Sequence, residues 1–361
     1  MPNEFIARNG LISRDNSQVT GSFQVTGSLE VTGSVGFAYK VWSTGGALST
    51  ARYQLAGAGT QNAGLAFGGG TPVSVACTEA YNGTSWTAGG AMINTVRQLA
   101  GVGTQNEALA FGGRIIAIVA CTEEYNGISW SAGNPLITTR NTLAGAGTQN
   151  AGLAFGGSDV YNPISCTEEY NGSSWSTGGA LITARATLAG AGTQNAGLAF
   201  GGLTPAPAIV ACTEEYNGSS WSAGGALLTA RYSLAGAGTQ NSGLAFGGGN
   251  PNEACTEEYN GTSWSTGGAL INGRRTLAGA GTQNAGLAFG GRDQYYTLSC
   301  TEEYSPLQTF LYSNTTGCIS ATGSLFGTAS FALTASNALN APVAFPFTGS
   351  ARITGSLGVT G

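Results

Sequence analysis

Histidine is absent from this 361-residue chain, which removes the commonest general base and the commonest imidazole ligand for zinc, copper or iron. Chemistry would have to come from carboxylates, arginines and thiols. Carboxylate pairs stand at Glu123/Glu124, Glu168/Glu169, Glu214/Glu215, Glu257/Glu258 and Glu302/Glu303, and Glu79 is followed by Ala80. Arg52, Arg140, Arg185, Arg231 and Arg274 recur in step with the first Glu of each set, while Val96, followed by Arg97, takes that place for Glu123. Neighbouring carboxylates could divide general acid and base work, yet a reaction needs one such pair and this one recurs along the chain. Repetition points instead to ion pairs from one structural unit to the next. Such pairs fix registry more than they stabilise, since exposed ones are worth only about 0 to 1 kcal/mol.

Six of the seven cysteines, Cys77, Cys121, Cys166, Cys212, Cys255 and Cys300, share one position of the same repeat. Equivalent positions of adjacent units should lie beyond the ~7 Å between Cα atoms that a disulfide can bridge. Packed, reduced thiols are therefore expected. Cys318 stands apart and could cross-link chains.

These groups must be positioned by a repeated element, and the repeat is explicit. Ala56 to Asn62 reads AGAGTQN, and the heptad recurs at 100–106 (with Val102), 144–150, 189–195, 235–241 and 278–284. Each copy runs on through a Leu-Ala-Phe-Gly-Gly strand, a variable stretch, a Cys-Thr-Glu segment and a Trp. The tryptophans stand at 42, 86, 130, 175, 221 and 264. Their uneven spacing follows one loop, the stretch between the Gly-Gly doublet and the Cys, which holds 7, 7, 8, 9 and 6 residues in the first five copies.

Each unit reads as four strands: Leu55 to Thr60, a Gln61-Asn62 turn, Leu65 to Gly69, Ala76 to Tyr81, a two-residue Asn82-Gly83 hairpin turn, and a return through Trp86. Asn82-Gly-Thr, Asn171-Gly-Ser, Asn217-Gly-Ser and Asn260-Gly-Thr match glycosylation acceptors, but the hairpin reading takes precedence without a secretory leader. One such sheet cannot bury both faces, whereas a closed ring can. The expected fold is all-β, a six-bladed propeller with four-stranded blades. The last unit stops at Tyr304 with Ser305-Pro306 in place of Asn-Gly, so the segment from Ala38 to Ser43 should supply its missing fourth strand and lock the ring. Both chain ends of the ring should then leave by the face that carries the Gln-Asn turns, opposite the variable loops.

The order of a hydrophobic-Gly strand, a Gly-Gly doublet, a Tyr, a Trp and a terminal Arg over residues 37–304 resembles the kelch repeat. The units are shorter than the ~50 residues usual there, and the step from Tyr81 to Trp86 is tighter. The Gly-His and Trp-Asp pairs of WD40 repeats are missing. Six-bladed sialidases would bring Asp-box turns, copper oxidases on kelch-like rings need histidine ligands, and a Ser-His-Asp triad is excluded likewise. Calcium could be held by backbone carbonyls in the channel, but no Asp-rich loop signals it. The expectation is a protein without catalytic residues, cofactor or metal.

Composition agrees: 60 glycines, 42% hydrophobic and 9% charged residues are too apolar for a disordered chain and suit short strands with glycine turns. The net charge of −5, one Lys (Lys40) and twelve scattered Arg leave no basic stripe for nucleic acid. No stretch approaches the ~18 to 20 apolar residues of a membrane span, and the N-terminus has no apolar core of leader length. A soluble, cytosolically made protein is expected.

Residues 1–36 and 307–361 flank the ring domain, 37–306. Both arms carry a six-residue period, Val19-Thr-Gly-Ser, Val25-Thr-Gly-Ser and Val31-Thr-Gly-Ser before it, Phe347-Thr-Gly-Ser, Ile353-Thr-Gly-Ser and Val359-Thr-Gly after it. Such hexads are too poor in apolar bulk to fold alone and point to self-association, with a trimer favoured. They resemble the Thr-Gly-Ser stretches of bacteriophage tail-fibre and virion structural proteins, which implies a virion appendage, other virion proteins as partners, and host attachment or decoration; a cytoplasmic kelch-like adaptor is the alternative. The variable loops diverge within a constant frame, which marks them as the recognition surface for a host-surface glycan or protein. The side chains suited to contact are Thr71, Pro72, Arg114, Ile115, Asp159, Tyr161, Leu203, Pro205, Asn250, Asn252, Arg292, Asp293, Tyr295 and Tyr296. Recognition would gain avidity from repeated copies.

Overall fold

The computed structural model describes residues 40–249 and 254–306. The arms, Cys318, Asn250 and Asn252 lie outside the described residues. Strand β1 (Lys40–Gly45) opens the chain, and five four-stranded antiparallel blades follow: β2–β5 within 56–88, β6–β9 within 100–133, β10–β13 within 144–177, β14–β17 within 189–223 and β18–β21 within 235–266. The sixth blade takes β22–β24 from 278–306 and β1 as its outermost strand. The result is a six-bladed β-propeller. The register runs from Lys40 opposite Pro306 to Gly45 opposite Thr301, so the segment around Ala38 to Ser43 supplies the closing strand as expected, with Ala38 and Tyr39 outside the described residues.

The innermost strands read Ala-Gly-Ala-Gly-Thr because neighbouring blades approach closely at the axis. A Cβ on Gly57 would stand 2.5 Å from Phe289 Cζ and 2.9 Å from the Gly279 carbonyl. The second strand of each blade is the buried spine; Leu65, Ala66 and Phe67 have no exposed surface. The core lies between blades: Leu65 and Phe67 of the first blade pack with Ala110, Tyr125 and Trp130 of the second. The Trp130 ring sits 4.9 Å from both Phe67 and Tyr125, and its Nε1 donates to Thr78 Oγ1 at 2.9 Å. Trp42 repeats this at the closure against Phe246, Tyr304 and Thr256. Burying each such aromatic stabilises by roughly 1.5 to 3 kcal/mol, and the indole hydrogen bond fixes its depth.

Three polar features depart from the sequence reading. The Arg–Glu pairs form, but they are buried and do not run from blade to blade. Arg52 lies in the connector that enters the first blade and reaches Glu79 on β4 of that blade at 2.8 Å. Arg140–Glu168, Arg185–Glu214 and Arg231–Glu257 follow at 3.0 Å, and Arg274–Glu302 pairs likewise. All five arginines have no exposed surface. The reason is solvation: a guanidinium with five donors can be buried where strand-end carbonyls converge, and Arg52 also donates to the carbonyls of Gly68 and Cys77. Glu123, without an arginine, accepts from Ile93 N, Asn94 N and Asn94 Nδ2.

The blade-to-blade bonds come from other residues. The second Glu of each pair accepts the phenol of the next blade, as in Tyr216 to Glu169 and Tyr259 to Glu215 at 2.6 Å. Ala80 removes this bond from the first interface. The Gln of each Gln-Asn turn reaches back as well; Gln105 Nε2 donates to the carbonyls of Gly64 and Tyr81 in the preceding blade. The Asn-Gly connection is a four-residue loop, not a two-residue one: Tyr81 pairs with Trp86, and Asn82 Oδ1 accepts from Thr84 N and Ser85 N. The six repeat cysteines are half-buried and none forms a disulfide.

Candidate functional site

Antiparallel blades sort their connections to two ends. One end carries the Gln-Asn turns, the Asn-Gly loops and the paired residues Lys40 and Pro306. The other carries the variable loops and the connectors that pass from each blade to the next. At the centre of this second end six residues close a ring of backbone hydrogen bonds: Gln98 N to Gln54 O, Thr142 to Gln98, Thr187 to Thr142, Ser233 to Thr187, Thr276 to Ser233 and Gln54 to Thr276, all at 2.8 to 2.9 Å. All six adopt positive φ between 50° and 59°, a conformation uncommon for residues with a side chain, which the closed ring sustains.

Outside the ring, each variable loop is anchored by its first residue to the residue preceding a ring member. The pairs are Tyr53 with Gly70, Arg97 with Arg114, Asn141 with Ser158, Ala186 with Leu203 and Arg275 with Arg292, and Gly249 N donates to Tyr232 O at 2.9 Å. Leu203 is half-buried in this contact, and Ile115 packs inward on the core beneath its loop. Asp159 and Asp293 cap their own loops: Asp159 Oδ1 accepts from Tyr161 N and Asn162 N, and Asp293 Oδ1 from Tyr295 N and Tyr296 N at 2.7 and 2.6 Å. The Asn162 and Tyr161 amides hold the Asp159 carboxyl below the usual carboxylate range.

Thr71, Pro72, Arg292, Tyr295 and Tyr296 come together. With Ala51, Tyr53 and Thr297 they line a cavity of about 420 Å³ between the sixth and first blades. The Arg292 guanidinium lies 5.5 Å from the centre of the Tyr53 ring. Arg114, Tyr161 and Pro205 are exposed on the loops of the second, third and fourth blades and do not join this cavity. Sequence reasoning missed Tyr53, Arg97 and Arg275. Their signal was available: the residue after the structural arginine reads Tyr, Arg, Asn, Ala, Tyr and Arg around the ring, divergent beside an almost fixed neighbour.

The two ends differ in chemistry. Among the described residues, every exposed large apolar side chain except Ile128 stands at the loop end: Val73, Ile116, Val160, Tyr161, Ile209, Tyr295 and Tyr296 in loops, and Ile93, Ile137, Ile182, Leu228 and Ile271 in connectors. The four described arginines outside the buried pairs, Arg97, Arg114, Arg275 and Arg292, stand there too, and none pairs with a described carboxylate. Among the described residues no group of His, Cys, Asp and Glu is placed to hold a metal, and no helix is long and apolar enough to cross a membrane. In comparisons with known proteins, no family model and no curated protein matches the chain.

Proposed function

We propose that this is a non-enzymatic recognition and attachment protein that presents the loop end of its propeller to a ligand and is fastened by residues 1–36 and 307–361 to a larger assembly, as a virion appendage would be. The observation that carries this reading is the asymmetry of the two ends. Exposed apolar side chains and arginines without a carboxylate partner among the described residues collect at one end, and exposed apolar surface rimmed by polar groups marks interaction sites. The other end is hydroxyl- and amide-rich and holds Lys40 and Pro306, the residues at which the chain enters and leaves the described ring, so attachment through residues 1–36 and 307–361 would leave the loop end free. The fixed frame under diverging loops supports the same division. The kelch resemblance rests on repeat order alone, and the phage resemblance on the hexads of the arms.

The test is the solution mass of the full chain beside a chain trimmed to residues 37–306. An oligomer for the first, with a trimer favoured, and a monomer for the second is the expected result. Two monomers would remove the fibre argument and put a monomeric adaptor, binding a protein partner by the same loop end, in its place.

A further inference from the structure

The unpaired cations of the loop end occupy only half of it. Arg275 and Arg292 belong to the sixth blade and Arg97 and Arg114 to the second, so they flank the first blade on both sides, while the corresponding positions of the third, fourth and fifth blades hold Asn141 and Ser158, Ala186 and Leu203, and Tyr232 and Gly249. The cavity between the sixth and first blades opens in this arc. We propose that it binds an acidic saccharide, a sugar bearing a carboxylate or a sulfate; this rests on the recognition reading above and names its ligand class.

Arg292 supplies the charge contact. Its guanidinium lies on the face of Tyr53 and donates no hydrogen bond to the described residues, so its planar fork remains open to a carboxylate or sulfate. Tyr295 and Tyr296, 75% and 71% exposed, stand beside it with ring centres 6.2 Å apart. Their amides are fixed by Asp293, which sets the loop before a ligand arrives and lowers the entropy lost on binding. Aromatic faces take the C–H face of a sugar ring, and the Thr71 and Thr297 hydroxyls at the cavity wall suit its hydroxyls. Across the first blade, Arg97 Nη1 reaches the Pro72 carbonyl at 3.2 Å while its Nε is buried without a partner, which continues the cationic track for a further acidic residue of a polymer.

Other anionic ligands fit less well. A peptide adding to a sheet edge would pair with an outermost strand, and these strands, three residues long in β5, β13, β17 and β21, four in β9 and six in β1, carry none of the four arginines. Tight binding of a nucleic acid backbone needs many phosphate contacts, and this end offers four arginines and, among the described residues, no lysine.

The experiment presents the full-length protein to immobilised oligogalacturonate, a heparin-derived oligosaccharide, their carboxyl-reduced and desulfated counterparts, polyglutamate and oligo-dT. Expected is retention by one or both acidic saccharides and not by the neutral counterparts, with apparent affinity falling ~10-fold or more in Arg292→Gln and in Tyr295→Ala/Tyr296→Ala. Ile128→Ser, in the Asn-Gly loop of the second blade at the opposite end, leaves binding unchanged, and thermal unfolding of each variant checks the fold. Which acidic saccharide is retained separates carboxylate from sulfate recognition. Retention of neither, or equal retention by Arg292→Gln, overturns the proposal. Capture of polyglutamate or oligo-dT in their place overturns it while leaving a recognition role for the loop end, and loss of that role would show as no binding to any probe.

Discussion

Replacing Arg185 with methionine removes a side chain with no exposed surface that donates to Glu214 at 3.0 Å and to the carbonyls of Gly201, Cys212 and Ala199. Glu214 keeps the amides of Ile182 and Thr183 but stays 2% exposed, a charge without its counter-ion. Breaking a buried pair from one side costs about 3 to 5 kcal/mol. At roughly 2 to 4 °C per kcal/mol for a domain of this size, the melting temperature should fall by about 6 to 20 °C. Burial pushes the Arg185 guanidinium below its usual value even beside Glu214, so desolvation outweighs the pairing. The double variant Arg185→Met/Glu214→Leu should therefore recover most of the loss, because the uncompensated charge leaves with its partner. Urea and thermal unfolding of both variants measure this. A loss under about 1 kcal/mol for the single variant would mean the pair is solvent-screened, and no recovery in the double variant would mean the arginine acts through packing alone.

In the second blade Asn94 Nδ2 serves Glu123 where arginine stands elsewhere, so Asn94→Ala should cost about 1.5 to 3 kcal/mol while Thr183→Ala at the matching place in the fourth blade is nearly neutral, as chemical denaturation would read out. Thr167→Val leaves the buried Trp221 indole without its acceptor at 2.9 Å and should cost about 1 to 3 kcal/mol with a shifted tryptophan emission. Burial, then the Glu partner, raises Tyr81, Tyr216 and Tyr259 to about 12 from an unfolded value of 10.0. The folded state holds these protons more tightly, so their contribution is complete below pH 10 and is lost as pH climbs toward 12. Ultraviolet titration should find these phenols ionising with unfolding, and Tyr216→Phe should flatten the alkaline limb of stability. Trp42→Ala, at the closing strand, should cost about 3 to 5 kcal/mol and open the ring to proteolysis between the first and last strands.

The sequence by itself determined the number of blades, the order of strands within each and the origin of the closing strand, because these follow from local signals: alternation over five residues, Gly-Gly and Gln-Asn punctuation, and a Trp unit displaced to the front of the chain. It also marked the variable loops, since length and type change there and almost nowhere else. Only the tertiary structure decided that the Arg–Glu pairs are buried inside blades while Glu–Tyr and Gln–carbonyl bonds cross between them. A repeat pattern is the same whether a residue meets its own unit or the next, and only the rotation between blades chooses. The axial ring, the cavity beside Tyr53 and the half-circle of unpaired arginines were hidden for the same reason. They join residues that are neighbours only because the ring closes, as Tyr81 and Glu303 do across 222 positions of chain.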